Sequence, residues 1–293
     1  MSVRTTAVAG QFYELSPHAC LDQLKQMLPA EPLAAELPER IISGIVPHAG
    51  WVFSGDLAGL VFAAVKQQNE SVDTFVIFGA VHAVRTQKAL LYDAGSWQTP
   101  LGDIDVDEQL AQAILAEAPE LIIADLDAHR REHSIEVQVP FVQHLFEAAR
   151  IVPLLVPPFD QAPQVGAAVA RAIAGSDKSV VCIGSTDLTH YGPSYFFTPQ
   201  GAGPEAVRWA KDTNDKFFID LALSMQADRL VDAAQTYHNS CGSGATAAAV
   251  AAAKQSGAAQ GYLLAHTTSA EIMAEQFGRE SDDSVGYAAL VFG

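Results

Sequence analysis

Short apolar runs recur along the chain at 41–46, 74–78, 151–156, 179–183, 262–265 and 285–292, each rich in Val, Ile and Leu and bounded by Gly, Pro or polar residues. Near-continuous apolar runs of this length predict strands buried on both faces rather than strands with one wet side. Between them the apolar spacing switches to helical periodicity at 17–28, 55–66, 107–117, 135–149, 163–174, 205–224 and 244–255. The alternation predicts an α/β fold with a mixed or largely parallel sheet flanked by helices. A stretch at 121–125 reads as a further strand, and 247–253 is alanine-rich in the manner of a tightly packed helix. No linker composition interrupts the pattern, so 1–293 reads as one domain, with only a weak division near Pro157-Pro158.

The polar residues between these elements are not scattered. Pro47-His48-Ala49-Gly50 follows one strand and Gly79-Ala80-Val81-His82 another. Ser185-Thr186-Asp187-Leu188-Thr189-His190 follows a third, and His238-Asn239-Ser240-Cys241-Gly242 precedes the alanine-rich helix. Open α/β sheets place their sites beyond the carboxyl ends of strands, so the four clusters are expected to converge. A lone strand-end histidine is usually a hydrogen-bonded structural residue; two in the same position point to a shared ligand. Cys241 sits where helix N-terminal amides are expected to lower a thiol's pKa, the alternative being a passive residue in a segment capped by Ser240 and Ser243. Asp187 and His190 are candidates for general acid/base work, with Asp187 orienting or assisting the imidazole, or else for turn capping. Tyr13, Trp51 and Tyr191 are weighed as walls of the site against the commoner role of core aromatics.

His129-Arg130-Arg131-Glu132-His133 matches the His-x-x-Glu-His pattern of inverted zincins. That chemistry needs both histidines on one face of a helix. Ser134 reads as an N-cap, which starts the helix after His133 and argues against the pattern. His133 and Glu136 stay as pocket candidates.

Composition narrows the partners. Seventeen basic against thirty-four acidic residues give a formal charge of -17, unfavourable for nucleic acid or an anionic membrane surface. With no apolar leader at the start and no long uncharged apolar span, the chain reads as cytoplasmic. Its three cysteines, with no Cys-x-x-Cys pair, indicate neither a disulfide framework nor a zinc knuckle. Cys20 and Cys182 read as core packing.

Taken together, Ala9-Gly10-Gln11-Phe12-Tyr13, the nine residues from Pro47 to Gly55, Gly79-Ala80-Val81-His82, the ten from Glu132 to Phe141, Thr186 to Tyr191 and Ser240-Cys241-Gly242 resemble the Memo family, whose prokaryotic members are called AmmeMemoRadiSam system protein B. That family is similar in fold to the class III extradiol (LigB-type) non-haem iron dioxygenases, which use two histidines and a glutamate. The resemblance implies metal ligands at His48, His82 and Cys241, with cysteine in the glutamate's place. It implies neighbouring catalytic groups at Asp187 and His190 and a further pocket residue at His133. Iron(II) is the expected metal, and thiolate also accommodates copper or zinc. The implied function is a mononuclear metal-dependent oxidoreductase of unknown substrate. A second reading is a binding module that holds a phosphotyrosine-type peptide or small anionic ligand, and a third is a cysteine-nucleophile hydrolase built on Cys241. A radical-SAM system partner is implied by the family name alone. Thr268-Ser269-Ala270-Glu271 departs from the Ser-Gly-Asp common in bacterial relatives, so Glu271 is given no role.

Overall fold

The computed structural model describes residues 2–34 and 36–293. Among the described residues the strands are β1 (Val3–Arg4), β2 (Ser43–Val46), β3 (Thr74–Gly79), β4 (Ala89–Leu91), β5 (Ser96–Thr99), β6 (Gly102–Asp105), β7 (Ile122–Ala124), β8 (Arg150–Leu155), β9 (Val180–Ser185), β10 (His190–Tyr191), β11 (Gly261–Thr268) and β12 (Ser284–Phe292). Strands β1, β5 and β6 form a small sheet of their own. The other nine form the main sheet in the order β10-β12-β2-β9-β3-β8-β4-β7, with β11 along the other edge of β12.

Its centre is the parallel quartet β2, β9, β3 and β8, and every residue of β2, β3 and β9 is buried. This two-sided burial is why these strands show as solid apolar runs. Helices cover both faces. Ala162–Ala174 and Ser243–Gln255 pack with one core cluster that includes Val76, Phe78 and Cys182, while Trp51–Gln68 packs with the other, around Phe75, Ile77 and Ile183. The boundary weighed near Pro157-Pro158 falls inside one continuous sheet, because β9 lies between β2 and β3.

Two readings shift. The helix expected over 135–149 resolves into a short 3₁₀ turn, Glu136–Gln138, and a helix Val139–Leu145, ending where Phe146 leaves helical geometry. That expected over 205–224 is broken by a π-helical turn, Ala210–Asp215, between Pro204–Trp209 and Lys216–Leu223. Among the described residues no helix is long and apolar enough to cross a membrane.

Candidate metal centre

The ends of β2, β3 and β9 deliver His48, His82 and Asp187 to one edge of the sheet, and the loop before helix Ser243–Gln255 brings Cys241 over them. One ligand-type atom from each of His48, His82 and Cys241 lies within 4.8 Å of the others. The Cys241 Sγ is 3.2 Å from His48 Nε2.

Both imidazoles are oriented from behind. The Ser185 hydroxyl donates to the Ser134 carbonyl at 2.7 Å, so it accepts from the His48 Nδ1–H at 3.0 Å, and the Nε2 lone pair faces the sulfur. His82 Nδ1 donates to Glu132 Oε1 at 3.0 Å, and its backbone N–H donates to Oε2 at 2.7 Å, so Nε2 is again the free nitrogen. A ligand histidine whose other nitrogen is held by an acceptor is the usual outer arrangement of a metal site. Two fixed nitrogens beside a sulfur fit a transition metal.

Electrostatics separate the groups. Burial drives the His48 pKa well below its ordinary value, reinforced by His82 and His133, so the ring is neutral and able to coordinate. Burial also pushes His82 down, but the Glu132 hydrogen bond and charge more than reverse it, and its pKa ends raised. Glu132 is held below the carboxylate range because hydrogen bonds and charge from His82 outweigh its own burial. Burial raises Asp187, offset only in part by His190 and the His48 backbone N–H, which donates to Oδ1 at 2.7 Å.

Cys241 corrects the expectation from sequence. Burial and the Asp187 carboxylate push its thiol up, not down. The amides expected to stabilise a thiolate are otherwise engaged: Cys241 N–H donates to the Asp187 carbonyl and Gly242 N–H to Thr186 Oγ1. Neither serine caps the helix. Ser240 Oγ instead pairs with Thr186 Oγ1 at 2.8 Å.

The remaining predicted residues divide. The His133 ring stacks on His82 at 4.9 Å, stands edge-on to His48 at 5.4 Å, and meets Phe12 at 5.0 Å. His190 is oriented by its own loop, Nδ1 donating to the Leu188 carbonyl at 3.0 Å, with Tyr195 against the ring at 5.1 Å. The orienting partner of His190 is therefore the Leu188 carbonyl and not Asp187. Glu136 is no pocket residue: it holds Arg4, the amides of Ala7 and Val8, and Tyr13 Oη, tying the N-terminal segment down. Tyr13, Trp51 and Tyr191 are core, and the aromatic rings beside the site histidines are Phe12 and Tyr195. His129 points away, its Nε2 on the Leu90 carbonyl and its ring among Tyr92 and Trp97, so the inverted zincin pattern has no shared face. Sequence reasoning missed Glu132 and Ser185 as the orienting groups. The only available signal was their adjacency to His133 and to a strand end.

Comparison with known proteins agrees with this architecture. A family model described as Memo-like protein matches residues 4–291. MEMO1 family proteins of Thermococcus onnurineus and Caldivirga maquilingensis are 37% and 34% identical, with 99% and 100% of this chain and 99% of each relative covered. A solved structure, the uncharacterized protein JW3007 of Escherichia coli K12, is similar in fold at a TM-score of 0.56 and 12% identity, covering 87% of this chain and 100% of its own. The family match over residues 4–291 and the full-length identities together show that the chain belongs to the Memo family.

Proposed function

We propose that His48, His82 and Cys241 hold a single transition metal, iron(II) or copper, and that the chain is a metal-dependent oxidoreductase. The observation that carries this is the approach of Cys241 Sγ to the His48 Nε2 lone pair at 3.2 Å, with His82 oriented into the same space by Glu132. A bound iron or copper ion supplies one-electron chemistry toward dioxygen or an organic substrate. The chain's own groups then handle position and protons. His190, its Nδ1–H spent on the Leu188 carbonyl, presents Nε2 as a proton acceptor. Phe12 against His133 and Tyr195 against His190 supply the aromatic surface beside these histidines that a substrate would meet. Asp187 holds the His48 backbone and keeps a carboxyl group beside His190.

A cysteine-nucleophile hydrolase would use the same Cys241–His48 contact. It has no task for His82, whose orientation by a buried carboxylate is what a ligand needs. A phosphate-binding module gains little support, since among the described residues no lysine or arginine hydrogen-bonds or ion-pairs with His48, His82, His133, His190 or Cys241.

The test is elemental analysis of protein purified without oxygen, chelator or added metal, beside Cys241→Ala and His48→Ala. Near-stoichiometric iron or copper in the wild type, lost from both variants, is the expected result. A metal-free wild type whose Cys241 is alkylated at once, with loss of a hydrolytic activity, would transfer the assignment to the hydrolase.

A further inference from the structure

The π-helical turn Ala210–Asp215 lies outside the ligand set, yet its last two residues reach both loops that close the site. Asp215 is fully buried. Its Oδ1 accepts from the Thr189 backbone N–H at 2.9 Å, one residue before His190, and its Oδ2 pairs with His266 Nε2 at 3.1 Å. Asn214 Nδ2 donates to Thr189 Oγ1 and to the Tyr237 carbonyl, both at 3.0 Å. The Asn214 backbone carbonyl accepts from Asn239 Nδ2 at 3.2 Å, two residues before Cys241. One irregular turn thus grips the Asp187–His190 loop and the Cys241 loop together.

The surroundings are cut to fit it. A Cβ on Gly286 would stand 1.9 Å from Asp215 Oδ2, so β12 can pass the carboxylate only with glycine there. The same Gly286 exchanges backbone hydrogen bonds with Leu188 and Thr189. π turns inside helices occur frequently at functional sites.

We propose that Asn214 and Asp215 are positioning residues that set the register of the Cys241 loop against the His190 loop, and so the distance of the Cys241 sulfur from His48. The inference rests on the metal-site reading for its consequence, but the register itself is a property of the chain and can be read without metal. It predicts that loosening either grip moves the thiol relative to the two histidines while the sheet stays intact.

The test has two readouts on Asp215→Ala, Asp215→Asn, Asn214→Ala and, as a control, Asp107→Asn. Asp107 is a buried carboxylate held by Thr74 and Lys178 at the opposite end of β3, so its loss lowers stability without touching the site. The first readout is cobalt(II) affinity, followed by the sulfur-to-cobalt charge-transfer absorption. The second is the rate of iodoacetamide labelling of Cys241 in the metal-free native protein, resolved by mass spectrometry from Cys20 and Cys182, which are 0% and 3% exposed. Asp215→Ala and Asn214→Ala should weaken cobalt binding about tenfold and speed Cys241 labelling several-fold. Asp215→Asn keeps an acceptor for Thr189 and should recover most of both, while Asp107→Asn should leave both unchanged. Cobalt affinity and labelling within twofold of wild type in folded Asn214→Ala and Asp215→Asn, together with no larger effect in Asp215→Ala, would overturn the inference. If the wild type itself gives no cobalt–thiolate band, the metal reading falls, and the labelling rates alone decide this one.

Discussion

The Glu132 carboxylate takes the His82 ring N–H and the backbone N–H groups of His82, His133 and Ser134, while the Glu132 carbonyl is held by Arg4 at 2.6 Å. One side chain therefore aims His82 and shapes the loop that carries His133. Glu132→Gln removes the charge while keeping the size, and should cost 10- to 100-fold in metal affinity, measured by competition with a chelating dye. Nothing in sequence separates this buried carboxylate from Glu136 four residues on, or from an exposed one. His129 shows the opposite case, a motif residue that turns out structural. Burial holds its pKa near 3, against 6.5 for an ordinary histidine. The depressed value means that the unfolded chain takes up a proton that the folded one refuses. Its contribution is complete above pH 6.5 and is lost as pH falls from there toward 3, at about 1.4 kcal/mol per pH unit. Urea unfolding of wild type and His129→Gln at pH 7 and pH 4.5 should show the variant losing less stability over that interval. Equal losses would place the ring in contact with water.

At the scale of elements, what was legible follows burial. The parallel strands β2, β3, β8 and β9 are apolar because both faces are covered, and their ends could be read to within one or two residues. Strands β1, β4, β5, β6 and β10 have only two to four residues each, too few to establish a period. The π turn escaped notice because its extra residue merely delays the helical repeat, leaving composition unchanged. The alanine-rich reading of 247–253 has its physical cause in the contact between Ser243–Gln255 and Ala162–Ala174, where a Cβ on Gly166 would lie 2.0 Å from the Ala248 carbonyl oxygen. Backbone on one helix meets backbone on the other, and only small residues allow it. Gly166→Ala should destabilise the fold by about 1–3 kcal/mol through overpacking, against the slight gain expected of Gly to Ala in an open helix. A lowered urea midpoint with unchanged slope is the expected outcome, and an unchanged midpoint would mean that the two helices can part without penalty.

For the whole molecule, the convergence of His48, His82, Asp187 and Cys241 could be anticipated because a parallel sheet gathers its strand ends, but the atoms that orient them could not, because they come from segments with no shared pattern. The same convergence ties stability to occupancy. The three proposed ligands come from the ends of β2 and β3 and from the loop before Ser243–Gln255, segments up to 193 residues apart, so a metal holding all three would link parts of the chain that unfolding must separate. An ion that binds only the folded state stabilises it by about 2.7 kcal/mol at a hundred times its dissociation constant. Tm should therefore rise with added iron(II) under anaerobic conditions and fall on chelation. The shift should vanish in Cys241→Ala, which loses the softest ligand, and shrink in Glu132→Gln, which keeps all three but aims one poorly. His190→Ala should retain the full shift, because that ring lies outside the His48–His82–Cys241 group proposed to hold the metal. A shift that survives Cys241→Ala undiminished would locate the stabilising metal elsewhere on this acidic surface and remove the sulfur from the site.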